Sequence, residues 1–120
     1  YGYGYGEYWA ATIPYFAARW PAPQQARLQE LRDAGATIAF WLSDKDGRAC
    51  NGGRNSPVTP GTVERSAGPL RLCGRGTLHA TLNPTMWKGE RWWIVALIGN
   101  VIGDEEKFGA LEREIIGECL

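Results

Sequence analysis

His79 is the only histidine in the chain, and Cys73 stands six residues before it. An imidazole titrates near neutrality, which suits acid–base work or gripping a ligand. It equally suits a half-buried structural role, because Thr77-Leu-His-Ala-Thr-Leu82 reads as a strand whose apolar neighbours face the other way. No Ser or Cys nucleophile motif accompanies the histidine. Cys73 is separated from it by Gly74-Arg75-Gly76, and spacing assigns no third triad member. A zinc site would need Cys50, Cys73, His79 and Cys119. No two of these have the spacing of a zinc knuckle, so no metal is expected and the thiols read as small packed groups. Gly74-Arg75-Gly76 resembles a piece of a phosphate loop, but no Gly-Lys-Ser/Thr and no long helix follow. Arg75 and His79 are the candidate anion ligands, with Arg54 in the Asn51-Gly52-Gly53-Arg54 loop as a candidate lid charge.

Six tryptophans supply the other chemistry. Trp41, Trp87, Trp92 and Trp93 are the candidate interface residues. Trp92 and Trp93 are adjacent, so on a strand they face opposite sides. One then meets either a covering layer of helix or a docking partner, for which tryptophan is a preferred anchor.

The elements that must position these residues follow from periodicity. Trp9, Ile13, Phe16 and Trp20 recur at four, three and four, one face of a helix. Pro14 either kinks that helix or sits in its first turn behind a Thr12 cap. A second helix is predicted over 23–34, with Pro23 in its first turn, Leu28 and Leu31 inward and Gly35 as its stop. Residues 36–43 then read as a strand and Asp44-Lys45-Asp46-Gly47 as a turn. Residues 51–61 form a Gly/Pro-rich loop. Short strands are expected over 62–67, 70–73 and 77–82, and a helical turn from Asn83-Pro84 to Trp87. Trp92–Ile98, seven apolar residues, reads as a strand buried on both faces. Residues 103–107 read as an acidic turn. At the C-terminus, Leu111, Ile115 and Cys119 fit a helix, which propensity favours, whereas Leu111, Arg113 and Ile115 against Glu112 and Glu114 fit an edge strand. The strand is preferred, on the family resemblance given below. The expected class is α+β: two N-terminal helices followed by a mostly antiparallel β-sheet of five to six strands.

Composition bounds the rest. At 120 residues and 44% hydrophobic content, one domain is expected over 7–120. Tyr1-Gly2-Tyr3-Gly4-Tyr5-Gly6 precedes it, either a flexible leader or the remnant of a longer Gly/Tyr repeat with its tyrosines on one side of an extended strand. An opening tyrosine implies a trimmed, processed or fragmentary chain. A signal peptide is expected to be absent or already removed, and no membrane span is expected. Three cysteines without paired spacing point to a reducing compartment, although one disulfide plus a free thiol also fits. Thirteen basic residues balance thirteen acidic ones, so bulk charge does not point to nucleic acid. The balance is uneven along the chain. Residues 48–91 hold seven basic and two acidic residues, and 92–120 hold two basic and six acidic. These segments either pair across the sheet or leave an anion site in the basic half.

Gly61 to Ile116 resembles an uncharacterised small domain of phage and prophage proteins. The resemblance is carried by Cys73-Gly74-Arg75-Gly76-Thr77-Leu78-His79-Ala80, then Asn83-Pro84, Trp87, and Trp92 through Gly99. The upstream Asp44-Lys45-Asp46-Gly47 and Asn51-Gly52-Gly53 also fit. Such domains often follow Gly/Tyr-rich repeats, which would explain residues 1–6. Gly76 to Gly99 is also similar in order to the ADP-ribosyltransferase scaffold: a strand with His and Ala, a short helix, then a long apolar strand. That resemblance implies NAD or another nucleotide as cofactor, with Trp41 or Ser43 and Glu112 or Glu114 completing the site beside His79. The usual first-strand His or Arg is missing from residues 38–43, which puts catalysis in doubt even on a shared fold.

The expectation drawn from these residues is a phage-encoded, non-enzymatic domain without cofactor. It would dock a host or virion protein through loop 48–61 and exposed tryptophans, and so inhibit a host defence complex, in the bacterial cytoplasm or the virion. The alternative is an active or degenerate nucleotide-handling domain. In that case His79, Arg75 and a C-terminal glutamate should meet in one cleft.

Overall fold

The N-terminal helix begins earlier than its hydrophobic spacing requires. The computed structural model describes residues 3–50 and 56–120, and in it α1 spans Tyr3–Ala17. Tyr3–Gly6 are therefore helical, not an extended leader. Contacts distant in sequence hold this stretch: the Tyr5 hydroxyl donates to the Glu106 carboxylate at 2.9 Å. Pro14 lies inside α1. It has no N–H to give the Ala10 carbonyl, and the burial of Ile13 and Ala17 holds the helix together across that gap. Thr12 is not a cap, since its hydroxyl donates to the Trp9 carbonyl at 2.7 Å.

The second helix, α2, spans Ala22–Asp33 and buries Leu28 and Leu31. Gly35 ends it at φ +87°. Its N–H reaches the Arg32 carbonyl and that of Ala36 reaches the Leu31 carbonyl, both at 3.0 Å, so the last carbonyls are satisfied as the sequence predicted.

Among the described residues seven strands follow, in two antiparallel sheets, giving an α+β fold. The first sheet has the order β1 (Thr37–Ser43), β4 (Arg91–Ile98), β7 (Glu112–Glu118), β2 (Val63–Arg65). The second has the order β3 (Leu78–Ala80), β6 (Phe108–Ala110), β5 (Ile102–Gly103). A single bridge between Phe40 and Thr81 links the two. The expected class, two N-terminal helices followed by mostly antiparallel β-structure, is thus met, with the five to six strands expected being seven among the described residues, divided between two sheets.

The alternation of side chains decides the layering. Phe40, Leu42, Ile94, Ala96 and Ile116 face the helices and pack on Ile13, Ala17, Trp20, Leu28 and Leu31. Ala39, Trp41, Trp93, Val95, Leu97 and Ile115 face the second sheet and pack on Ala80 and Ala110. The central strand β4 is buried on both faces, as its apolar run required. The strand expected over 70–73 does not form. Cys73 takes φ +62°, a left-handed conformation that no strand accommodates.

Candidate functional site

The loop from β2 to β3 is organised by hydrogen bonds that its own residues supply. The Gly74 N–H reaches the Arg71 carbonyl at 3.0 Å and closes a tight turn. The Thr77 hydroxyl accepts the Arg71 N–H at 2.8 Å. Cys73 sits in the left-handed position of that turn, and its N–H donates to Nε2 of His79 at 3.1 Å. A left-handed residue that is not glycine is held against its own preference, a pattern that concentrates at functional sites.

The β5–β6 turn faces this loop. Asp104 and Lys107 exchange backbone hydrogen bonds at 3.2 and 3.0 Å. Gly103 enters the turn at φ +90°, and a Cβ there would overlap the Lys107 carbonyl, so only glycine serves. The turn projects Lys107 so that its Nζ lies 3.2 Å from Cys73 Sγ. The same ammonium stands 5.9 Å from the centre of the Trp87 ring. Trp87 is anchored in turn, donating its indole N–H to the Glu106 carbonyl at 3.2 Å. Three residues of the 73–87 motif therefore meet at one place, with Lys107 joining them.

The His79 ring is held in its neutral form. Burial, then the charges of Lys107 and Arg113, lower its pKa to about 4. The neutral ring accepts at Nε2 and so carries its proton on Nδ1. That acceptor is taken by the Cys73 backbone N–H.

Beneath the site runs a buried ion pair that local sequence patterns did not single out. Arg113 Nε meets Glu64 Oε1 at 2.8 Å, with both side chains 6% exposed. Arg113 Nη1 also donates to the His79 carbonyl at 2.7 Å, which ties β3 to β7. The guanidinium lies 4.6 Å from the centre of the Trp41 ring. The one signal for it was the 113/115 alternation, which sets Arg113 on the same face as Ile115.

The remaining candidates are dispersed. Glu114 takes two hydrogen bonds from Arg27, at 2.8 and 2.7 Å, on the helix side of the first sheet. Glu112 meets Arg65 at 3.5 Å. Neither joins His79, so the constellation His79, Glu112, Glu114 does not assemble. Ser43 accepts the Trp93 indole N–H at 2.9 Å. Trp41 and Trp93 are 6% and 2% exposed, because β1 and β4 lie between helices and second sheet. Neither can anchor a partner, and that expectation is corrected. Trp92 packs edge-on against Trp9 and Phe40 at 5.6 and 6.2 Å between centroids, so the helical layer covers it. Trp87 alone of the four interface candidates sits at the rim, half-buried. Arg75 is exposed in the loop, and Arg54 lies outside the described residues.

An open cleft of about 450 Å³ is lined by Arg65, Leu70, Leu111 and Glu112, among others, and one of about 300 Å³ by Trp20, Pro60 and Cys119. Neither includes His79 or Arg75. Among the described residues, no three His, Cys, Asp or Glu side chains are grouped to hold a metal ion, and Cys50, Cys73 and Cys119 are free thiols. No helix among them is long and apolar enough to cross a membrane. No protein-family model matches the chain, and neither a curated protein nor a solved structure matches it.

Proposed function

We propose that this chain is a protein-binding domain that docks an acidic segment of its partner on the rim of the second sheet, around Arg71, Arg75, Lys107 and Trp87. One observation carries the reading. The pairing expected across the first sheet does occur, with Arg91 on Glu118 at 2.7 Å and Arg65 on Glu112 at 3.5 Å. Arg71, Arg75 and Lys107 take no part in it, and none forms an ion pair with a described residue. Of the described basic residues of 48–91, Arg71, Arg75 and Lys88 form no ion pair with a described residue, and two of the three stand on one loop, with Lys107 added from the facing turn. Apolar groups lie beside it: Leu72 is 42% and Met86 76% exposed. Arginine, methionine and tryptophan side chains gathered at one place match the composition of docking anchors.

The resemblance of 61–116 to small phage and prophage domains supports a host or virion protein as the partner, and inhibition of a host defence complex as the outcome of docking. A nucleotide site shared by Arg75 and His79 is the weaker reading, because His79 Nε2 already accepts the Cys73 N–H.

The test is affinity capture from bacterial lysate with the native chain and with Arg71→Glu/Arg75→Glu. The proposal expects proteins held only by the native chain, released by raised salt, and cross-linked to the rim through Asp/Glu-rich peptides. Identical captured sets on both baits would overturn it. So would nucleotide binding in calorimetry that is lost in Arg75→Ala.

A further inference from the structure

Cys73 and Lys107 come from different loops, 34 residues apart, yet their reactive atoms lie in contact: Nζ to Sγ is 3.2 Å. Both ends are held. The Cys73 backbone is bound to His79, and the Lys107 backbone closes the Asp104–Lys107 turn. The thiol is exposed, so a small oxidant reaches it. The other free thiols differ: Cys119 is buried, and Cys50 is exposed with the Lys88 carbonyl at 3.8 Å from its sulfur, not an amine.

We propose that Cys73 and Lys107 form a reversible oxidative cross-link, a sulfur–nitrogen bond made when the thiol meets a peroxide. In the first step the Cys73 sulfur attacks hydrogen peroxide. The O–O bond breaks, sulfur is oxidised by two electrons to the sulfenic acid, and one water leaves. In the second step the Lys107 amine, having lost a proton to solvent, attacks that sulfur. The S–N bond forms, the S–O bond breaks, and the hydroxyl leaves as water with the second amine proton. Thiol, ammonium and peroxide thus become the sulfenamide, two waters and one proton, with peroxide the sole oxidant. A free thiol reverses it by attacking sulfur and returning the amine. Proximity favours this step over solvent chemistry, since the two atoms need no search to meet. The bond joins the 71–77 loop covalently to the β5–β6 turn and removes the Lys107 charge. The proposal does not depend on what docks at the rim.

The experiment treats purified Cys50→Ser protein with hydrogen peroxide and follows it by peptide mass spectrometry and by a cyclic-diketone probe for sulfenic acid. The expected product is the peptide holding Cys73 joined to that holding Lys107, with a mass lower by two hydrogens and restored by dithiothreitol. Little probe should label Cys73. In Lys107→Gln and Lys107→Arg the cross-link should vanish and probe labelling at Cys73 should rise several-fold, with circular dichroism confirming the fold of each. Equal labelling in native and variant chains, or only sulfinic acid or unmodified thiol at Cys73, would overturn the proposal.

Discussion

The Trp20 indole occupies the space that a side chain on Gly117 would need: a Cβ built on Gly117 would overlap Cε2 of the ring. This contact sits on a β-bulge. Ile94 pairs with Gly117 and Val95 with Ile115, so Ile116 is the extra residue of β7. Ile116 faces the helices by ordinary alternation and packs in the core, and the bulge turns Gly117 to that same side, against Trp20. The second helix and the segment before it complete the strand's hydrogen bonding there, with Gln24 Nε2 on the Ile116 carbonyl at 3.2 Å and Trp20 Nε1 on the Glu118 carbonyl at 2.7 Å.

Gly117→Ala should therefore push Trp20 out of its seat and destabilise the chain by about 1–3 kcal/mol, the cost of overpacking. Urea unfolding followed by tryptophan fluorescence reads it. A midpoint equal to that of the native chain would show that the helices do not press on β7 at this point.

The Arg113–Glu64 pair is deeply buried, so removing one partner strands the other charge. Arg113→Met should cost about 3–5 kcal/mol. Arg113→Met combined with Glu64→Leu should recover much of that loss, since no lone charge is left inside. A double-mutant cycle in urea measures the coupling. Simple additivity of the two single changes would contradict the account.

Much of the fold was readable in advance, for physical reasons. Trp92–Ile98 could only be a doubly covered strand, and Pro23 with Gly35 bracketed α2. Local pattern did not decide β7: propensity favours a helix there, and the family resemblance is what favours the strand. Local pattern failed where distant contacts decide. Tyr3–Gly6 is poor helix material, yet it is held by Tyr5 on Glu106. Leu70–Cys73 has strand composition, but a turn sets Cys73 left-handed. At the site, His79, Cys73, Arg75 and Trp87 were visible as residue types. Lys107 was not, because nothing local couples it to a thiol 34 residues away.

Stability should depend on pH through His79. Its folded pKa of about 4 lies below the unfolded value near 6.5, so the unfolded chain binds the proton more readily. The associated stability is present above pH 6.5 and is lost as pH falls from there through 4. His79→Gln keeps an acceptor for the Cys73 N–H but does not titrate. Urea midpoints between pH 7.5 and 4 should fall more steeply for the native chain than for the variant. Parallel curves would mean that the imidazole is not held neutral.

The most direct measurement titrates ¹⁵N-labelled protein with a glutamate-rich peptide carrying leucine and follows its NMR shifts. The account predicts movement of the Trp87 indole N–H and of the backbone amides of the 71–77 loop and the Asp104–Lys107 turn, fading as salt rises, while the indoles of Trp41 and Trp93 stay fixed. Unmoved resonances at that rim, or shifts confined to the outer face of α1 around Tyr8 and Tyr15, would contradict it.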